Sequence, residues 1–377
     1  MKENAIVKND SKEYKYVFVC GLQRSGTSVL GRNVARLENC TRFKDTGVLE
    51  DEGQYLQDVY PSDREYGGTG RYGFDRRAHL TEASDLLTPE NIGKLQQSWH
   101  SHWDPRRTIC VEKTPANLLM TRFLQAAFPN SYFVVIKRHP VAVSLATQTW
   151  KVSITSLHSM FEHWLLCHEV FEQDKKYLKH VYELKYEEYI ENSARCHEEI
   201  AAFLGTRLPT PAREDSFRYV TRCDGQRVHG GYAEDPGLCV PECAMEDVTG
   251  LHNRKYFDRW SHLLMSSPFK GYYRYIARKY EPEFAKYGYS LTKGFFETDE
   301  ALDPGSKVSA IVGFMYCLGA DLSALLQRST IRTRFYIKQG VKKALPEFVL
   351  NRIRQARQKA LLSKGAAVIA DLSGRCR

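Results

Sequence analysis

The sequence predicts an α/β fold in which a parallel sheet is covered by helices on both faces. Short apolar runs of strand length alternate with stretches of helical periodicity along the N-terminal half of the chain. The runs are continuously apolar rather than alternating, which is typical of strands buried on both faces by crossover helices. With 377 residues, 42% of them hydrophobic, the chain can bury one large core or two smaller ones.

The elements follow in order. An apolar run at 16–20 predicts the first strand, and a helix over 27–37 follows it. A second strand is expected at 108–112, and Thr114-Pro115 supplies an N-cap and first-turn pair for a helix over 115–128. Apolar residues at helical spacing predict a long helix from Leu157 to Phe171. The other predictions are strands at 132–136 and 181–186 and helices at 141–150 and 187–204.

The joint between the first strand and its helix has the composition of a phosphate-binding loop. The spacing Gly21-x4-Gly26 is that of a Walker A loop, but Thr27 stands where the Walker lysine would be, and Arg24 supplies the cation instead. Backbone N–H groups and a positive helix end would converge here on an anion. The sequence therefore predicts a P-loop-like core. The candidate anion-binding residues are Arg24, Ser25, Gly26, Thr27 and Ser28.

A second anion site is expected where the third strand ends. A Walker B strand would end in Asp to hold magnesium, whereas this one ends in Lys137-Arg138, and Ser144 follows one turn into the next helix. The ten cysteines show no paired zinc spacing, so no metal site is predicted. Two anion sites imply a nucleotide that is phosphorylated at two places.

These motifs resemble the sulfotransferases that use 3′-phosphoadenosine 5′-phosphosulfate, over roughly residues 14–292. In that family, the loop matched by Arg24-Ser25-Gly26-Thr27-Ser28 holds the 5′-phosphosulfate. The 3′-phosphate is held by an arginine and a serine, which Arg138 and Ser144 match, and the tyrosine matched by Tyr186 lies against the adenine. The resemblance implies sulfuryl transfer to a hydroxyl group without a metal ion.

The base that takes the acceptor proton is less clearly marked. The resemblance to heparan-type enzymes selects Glu52, and the resemblance to tyrosylprotein enzymes selects Asp45. Glu50 and Asp51 compete with both. Lys113 is expected either to balance charge on the departing sulfuryl group or to pair with Glu112 or Asp45.

The acceptor is not specified by a motif. Residues 64–77 are rich in Gly, Tyr and Arg, and they are interpreted either as a surface loop or as a flap that binds a polar, ring-shaped acceptor. We expect a carbohydrate hydroxyl, with a protein tyrosine or a lipid-linked sugar as alternatives. A degenerate P-loop kinase and a non-catalytic nucleotide-binding protein are the rival classes.

Charge and composition suggest three regions: a flexible N-terminus (1–13), a sulfotransferase domain (14–298) and a basic helical appendage (299–377). The net charge is +9, and residues 327–364 hold eleven Lys or Arg against one acid, Glu347. This basic segment fits a solvated helical face or a peripheral contact with an anionic membrane. Nucleic acid is not expected as a partner, and the oligomeric state is left open. The N-terminus lacks an apolar signal region, so a cytoplasmic protein is expected, soluble or at the inner face of a membrane.

Overall fold

A computed structural model describes residues 13–149, 156–209, 245, 246, 248 and 254–295, together with residues 315, 319, 322 and 326. The chain divides into two units, 1–325 and 326–377, and the fold described below lies in the first. The predicted appendage at 299–377 lies outside the described residues except for those four positions, and the predicted N-terminal region reaches them only at residue 13. Within the described part, no helix is both long and apolar enough to cross a membrane.

The centre of the fold is a five-stranded parallel sheet in the order β2-β3-β1-β4-β5. The predicted α/β class and the parallel arrangement are thus confirmed. Because all the strands run the same way, their carboxyl ends meet at one edge, where ligands collect in open α/β sheets. The strands are β1 (Lys15–Gly21), β2 (Cys40–Arg42), β3 (Ile109–Lys113), β4 (Ser131–Lys137) and β5 (Val181–Lys185).

Helices pack on both faces of this sheet, because successive side chains of its buried strands point to opposite sides. On one face, Val17 and Val19 of β1 join the buried core that includes Leu30. On the other, Phe18 stacks on Phe133 and contacts the ring of Trp99. The α-helices are α1 (Thr27–Val34), α2 (Pro89–His100), α3 (Thr121–Ala127), α4 (Pro140–Gln148), α5 (Leu157–Asp174), α6 (Tyr186–Glu191), α7 (Ser193–Leu204), α8 (Arg254–Met265) and α9 (Lys270–Ala285).

Two predicted helices are each broken in the structure. The helix expected over 115–128 is a 3₁₀ segment, Pro115–Leu119, followed by α3, and the chain turns between them at Met120 with φ −140°. The helix expected over 187–204 is divided into α6 and α7 by Asn192, whose side chain accepts the Arg195 backbone N–H as an N-cap. In both cases a local side-chain or turn hydrogen bond competes with a continuous helix.

Other boundaries differ slightly from the predictions. Helix α1 ends at Val34 rather than residue 37, α4 ends at Gln148, and Tyr186 begins α6 rather than ending β5. Strand β2 and helices α2, α8 and α9 were not predicted. Helices α2 and α8 each bury a single stripe of side chains, around Trp99 and Trp260, and the rest of their sequence is mostly polar.

Candidate active site

The loop between β1 and α1 is shaped by backbone that only glycine adopts readily. Gly26 is the N-cap of α1 and has φ +95°, and a Cβ placed on it would lie 2.7 Å from Cδ2 of Tyr186. The Tyr186 ring therefore packs directly against the loop. Arg24 also has a positive φ, 73°, so the loop turns sharply just before the helix begins. This arrangement brings the N-terminus of α1 to the carboxyl edge of the sheet, as the sequence predicted.

Two serine hydroxyls near this edge are buried and lack partners. Ser25 in the loop is 0% exposed and Ser144 in α4 is 1% exposed. Neither Oγ atom makes a hydrogen bond to any group among the described residues. A buried polar group without a partner costs about 1–3 kcal/mol, so both positions favour a ligand or a water molecule that would pair with them.

Arg138 lies at the end of β4 and contacts the loop itself. Its Nη1 donates to the backbone carbonyl of Arg24 at 2.8 Å, and its guanidinium carbon lies 4.0 Å from the centre of the Tyr186 ring. Trp164 Nε1 in turn donates to the Arg138 carbonyl at 3.0 Å. Because each of these contacts restrains it, the buried Arg138 is fixed beside the loop. The two predicted anion sites are therefore neighbours, with Tyr186 between Gly26 and Arg138.

Ser144 lines a small cleft beside the start of the loop. The cleft lies between the loop that follows β1, the insertion at 64–77, α4 and α5. Its position places Ser144 close to Leu22 and Gln23 of the loop, while Arg138 approaches the loop from the side of Tyr186. The lining residues are Leu22, Gln23, Thr69, Gly70, Val143, Ser144, Thr147, Met160 and His163.

Glu52 and Lys113 form an ion pair at the same edge of the sheet. Lys113, the last residue of β3, donates through Nζ to Glu52 Oε1 at 3.0 Å, and both side chains are largely buried. The sequence had suggested the sulfuryl group, Glu112 or Asp45 as the partner of Lys113, and the structure gives the candidate base Glu52 instead. Burial raises the pKa of the Glu52 carboxyl, while the Lys113 charge and a hydrogen bond from Gln54 oppose that rise.

A chain of buried polar groups connects Glu52 to the loop between β1 and α1. Gln54 Nε2 donates to Glu52 Oε2 at 2.6 Å, and Gln54 Oε1 accepts the backbone N–H of Asp63 at 2.8 Å. Asp63 in turn accepts from Gln23 Nε2 at 2.9 Å and from Tyr55 O–H at 3.2 Å. Burial raises the pKa of Asp63 as well. The base candidate is therefore connected to the loop by side chains that fix its position.

The competing acids lie elsewhere. Asp45 is exposed, and its negative charge opposes the lowering of the Arg42 pKa that burial causes. Glu50 is also exposed, and the Asp51 carboxylate accepts from both the backbone N–H and the hydroxyl of Thr46. Thr46 thus holds Asp51. Among these acids, Glu52 is the buried one, and it is the one that contacts Lys113.

The insertion at 64–77 is folded onto the helices. It forms 3₁₀ turns whose Tyr66 and Tyr72 are buried, and the Gly73 backbone N–H donates to His163 of α5 at 3.1 Å. The segment therefore differs from the exposed loop of one interpretation. Arg64 and Arg76 remain exposed on it.

Sequence reasoning missed several polar residues of this site, above all Asp63 and the role of Gln54. Glu112 was considered only as a partner for Lys113. It is 0% exposed and accepts hydrogen bonds from Gly53, Thr114 and Asn117. The signal available for it was an acid inside an apolar strand, which is rarely buried unless it is paired.

The described residues contain no group of three His, Cys, Asp or Glu side chains placed to hold a metal ion. The five cysteines among the described residues are buried thiols, which pack as small hydrophobic residues.

Comparisons with known proteins show which family the chain belongs to. Residues 17–210 match the sequence model of a family described as the sulfotransferase family. A search of curated proteins gave no match. Solved structures of sulfotransferases are similar as well. One is the sulfotransferase domain from the curacin biosynthetic pathway, which is 16% identical over 74% of this chain and 100% of that chain, with a TM-score of 0.36. Another is the sulfotransferase domain of the Synechococcus PCC 7002 olefin synthase, at 17% identity over 53% and 76% with a TM-score of 0.33. A third is sulfotransferase STF1 from Mycobacterium tuberculosis H37Rv, at 15% identity over 52% and 68% with a TM-score of 0.33.

Proposed function

Since the chain belongs to the sulfotransferase family, we propose that it transfers a sulfuryl group from 3′-phosphoadenosine 5′-phosphosulfate to an acceptor hydroxyl. We favour a carbohydrate as the acceptor. The observation that carries the choice of donor is the pair of buried, unpartnered hydroxyls of Ser25 and Ser144. One lies in each of the two predicted anion sites, and phosphate oxygens are acceptors that would satisfy both.

The residues around the loop fit a donor with two anionic ends. Ser25, the N-terminus of α1 and Arg24 would bind the 5′-phosphosulfate. Arg138, held beside the loop by its bond to the Arg24 carbonyl, would bind the 3′-phosphate together with Ser144. The Tyr186 ring, packed on Gly26 and facing the Arg138 guanidinium, would support the adenine.

Glu52 is the proposed general base. As the acceptor oxygen bonds to sulfur, its proton passes to the Glu52 carboxylate, and the bond from sulfur to the bridging oxygen breaks. The bridging oxygen keeps that electron pair, so 3′,5′-adenosine bisphosphate leaves, and Arg24 and the loop N–H groups stabilise its growing charge. A base works best when its pKa lies near the operating pH, and burial raises the pKa of Glu52 in that direction.

Lys113 would contribute in two ways. In the structure its ammonium pairs with Glu52, which favours the ionised carboxylate that a base requires. Once Glu52 has accepted a proton, the pairing weakens, and the Lys113 ammonium becomes available to the sulfuryl oxygens.

The structure offers fewer groups for contact with a carbohydrate acceptor than the sequence suggested. Tyr66 and Tyr72 are buried and do not offer an exposed aromatic platform. Groups that could contact an acceptor include the exposed Arg64, whose guanidinium lies 5.2 Å from the centre of the Tyr55 ring, and Tyr55 itself. Tyr55 also donates to Asp63, so this pair adjoins the polar chain that supports Glu52.

The test is a transfer assay with sulfur-labelled 3′-phosphoadenosine 5′-phosphosulfate and a panel of acceptors: oligosaccharides, a tyrosine peptide and a glycolipid. We expect label on an oligosaccharide. A parallel reaction contains γ-labelled ATP and Mg²⁺, which a degenerate kinase would use. Transfer from ATP, with none from the phosphosulfate donor, would overturn the proposal, and label on the tyrosine peptide would overturn only the acceptor class.

A further inference from the structure

We propose that Glu112 is a positioning residue for Glu52: its carboxylate holds the Gly53 backbone and thereby fixes the adjacent base. This inference rests on the proposed function of Glu52 and goes beyond it, because Glu112 does not touch the reacting groups. Glu112 acts through the hydrogen bond that its oxygen atom accepts, and not through the charge of its carboxylate.

The geometry begins with the Gly53 peptide groups. Glu112 Oε1 accepts the Gly53 backbone N–H at 2.8 Å, and Trp99 Nε1 donates to the Gly53 carbonyl at 3.1 Å. The residue after the base is thus held from both sides. A side chain at position 53 would break this arrangement, since a Cβ there would lie 2.8 Å from Glu112 Oε1 and 2.9 Å from the Trp99 ring.

Two adjacent residues of β3, Glu112 and Lys113, contact the two adjacent residues Glu52 and Gly53. Lys113 binds the Glu52 carboxylate through Nζ, while Glu112 binds the backbone of Gly53. Side chains of adjacent strand residues point to opposite faces, so the chain at 52–53 is held at two separated points. A base held in this way loses little conformational freedom in the reaction.

Glu112 is itself fixed. It is fully buried, and it also accepts hydrogen bonds from the Thr114 hydroxyl and the Asn117 side-chain amide. Asn117 Oδ1 has no hydrogen-bond partner among the described residues. A rotated Asn117 amide could therefore accept from the N–H₂ group of a glutamine at position 112, whose oxygen would still accept from Gly53.

This leads to a test with two substitutions of similar size. Glu112→Gln removes the charge and keeps the acceptor oxygen, whereas Glu112→Met removes both. Asp174→Asn is the matched control, because Asp174 is another buried carboxylate, paired with His79 and Arg122 in a different part of the fold. If Glu112→Met fails to fold, Gly53→Ala tests the same contact through its Cβ.

Three readouts are measured on the full chain without an acceptor. They are hydrogen exchange at the Gly53 amide, the titration of the Glu52 carboxyl by ¹³C NMR, and the affinity for 3′,5′-adenosine bisphosphate. In Glu112→Met we expect exchange at Gly53 to accelerate at least ~10-fold, because its hydrogen bond is lost. The pKa of Glu52 should also fall towards the usual value for Glu as the carboxylate leaves its buried position.

Glu112→Gln and Asp174→Asn should both resemble the wild type in these two readouts, and nucleotide affinity should change in none of the variants. The proposal is overturned if Glu112→Gln and Glu112→Met behave alike, or if Glu112→Met leaves Gly53 exchange and the Glu52 titration unchanged. Failure of the wild type to bind the bisphosphate would instead count against the proposed function, since the first two readouts do not depend on the nucleotide.

Discussion

The proposed donor side and the proposed base side of the site are built in different ways. The donor side is a continuous loop, residues 21–28, with Arg138 and Tyr186 added from the ends of two neighbouring strands. The base side is a segment without regular strands or long helices, and its key contacts join residues far apart in sequence, as between Glu52 and Lys113 or Gly53 and Glu112. The first depends on local backbone geometry, and the second on a network of buried side chains.

This difference predicts different failures. Changes on the donor side should lower nucleotide affinity, because the proposed role of the loop is to bind the donor in its ground state. Changes on the base side should lower kcat while leaving nucleotide affinity intact, because proton transfer occurs only in the reaction itself. A variant on one side that changes both nucleotide affinity and kcat would show that the two sides are coupled. The hydrogen bond from Gln23 to Asp63 connects them.

The largest effect is expected for Glu52→Gln. Loss of a positioned base should lower kcat ~10²–10⁴-fold, with the affinity for 3′,5′-adenosine bisphosphate unchanged. The measurement is steady-state kinetics with the acceptor identified by the panel, beside a binding isotherm for the nucleotide. Glu50→Gln, the same change at an exposed acid nearby, is the control. A collapse of kcat in Asp45→Asn, with Glu52→Gln near the wild type, would show that the exposed acid is the base.

The second effect is on stability and follows from the pKa of Glu112, which burial raises to about 7 from its ordinary 4.5. The folded state therefore binds this proton more tightly than the unfolded state does, so the free energy of unfolding should fall as the pH rises between these values. The contribution is on the order of 3 kcal/mol at most. Urea unfolding of the wild type and Glu112→Gln at a series of pH values measures it, because the glutamine variant lacks this component. Parallel pH profiles for the two proteins would contradict the expectation.

The third effect tests the donor loop. In Gly26→Ala the new Cβ would meet the Tyr186 ring, and a left-handed conformation costs a residue with a side chain on the order of 1–2 kcal/mol. We expect the affinity for 3′,5′-adenosine bisphosphate to fall ~10-fold or more, measured by calorimetry. Gly93→Ala in α2 is the matched control, since a Cβ there meets no atom of the described residues within 4 Å. Equal nucleotide affinity in the two variants would argue against a role for the loop.

The smallest effect is expected for Ser144→Ala, and its two parts have opposite signs. Removing a buried hydroxyl without a partner should stabilise the free protein by on the order of 1 kcal/mol. The same change should weaken 3′,5′-adenosine bisphosphate binding ~10-fold, since a hydrogen bond to a charged phosphate is lost. Thermal unfolding with and without the nucleotide measures both parts. Ser101→Ala, at an exposed position after α2, is the control. A variant that binds as tightly as the wild type would remove Ser144 from the site.

The same contrast explains what the sequence could predict. The loop, the strand ends at Arg138 and Tyr186, and the α/β class were visible because each depends on residues adjacent in the chain. Glu52 was one candidate among four acids, since its burial and its pairing with Lys113 depend on a strand some sixty residues away. The hydrogen bonds from Gln23 to Asp63 and from Gly53 to Glu112 could not be predicted for the same reason: they join residues far apart in the chain. The breaks at Met120 and Asn192 escaped prediction because turn and cap hydrogen bonds override helical periodicity locally.

The central claim is that this site binds a nucleotide with phosphates at both the 3′ and the 5′ positions. The most direct measurement compares binding of 3′,5′-adenosine bisphosphate and adenosine 5′-phosphate by calorimetry, in the wild type and in Arg138→Ala. The account predicts that the wild type binds the bisphosphate much more tightly, and that the ratio of the two affinities approaches one in Arg138→Ala, because the 3′-phosphate then lacks its cation. Equal affinity of the wild type for the two nucleotides, or a ratio that Arg138→Ala leaves unchanged, would contradict it.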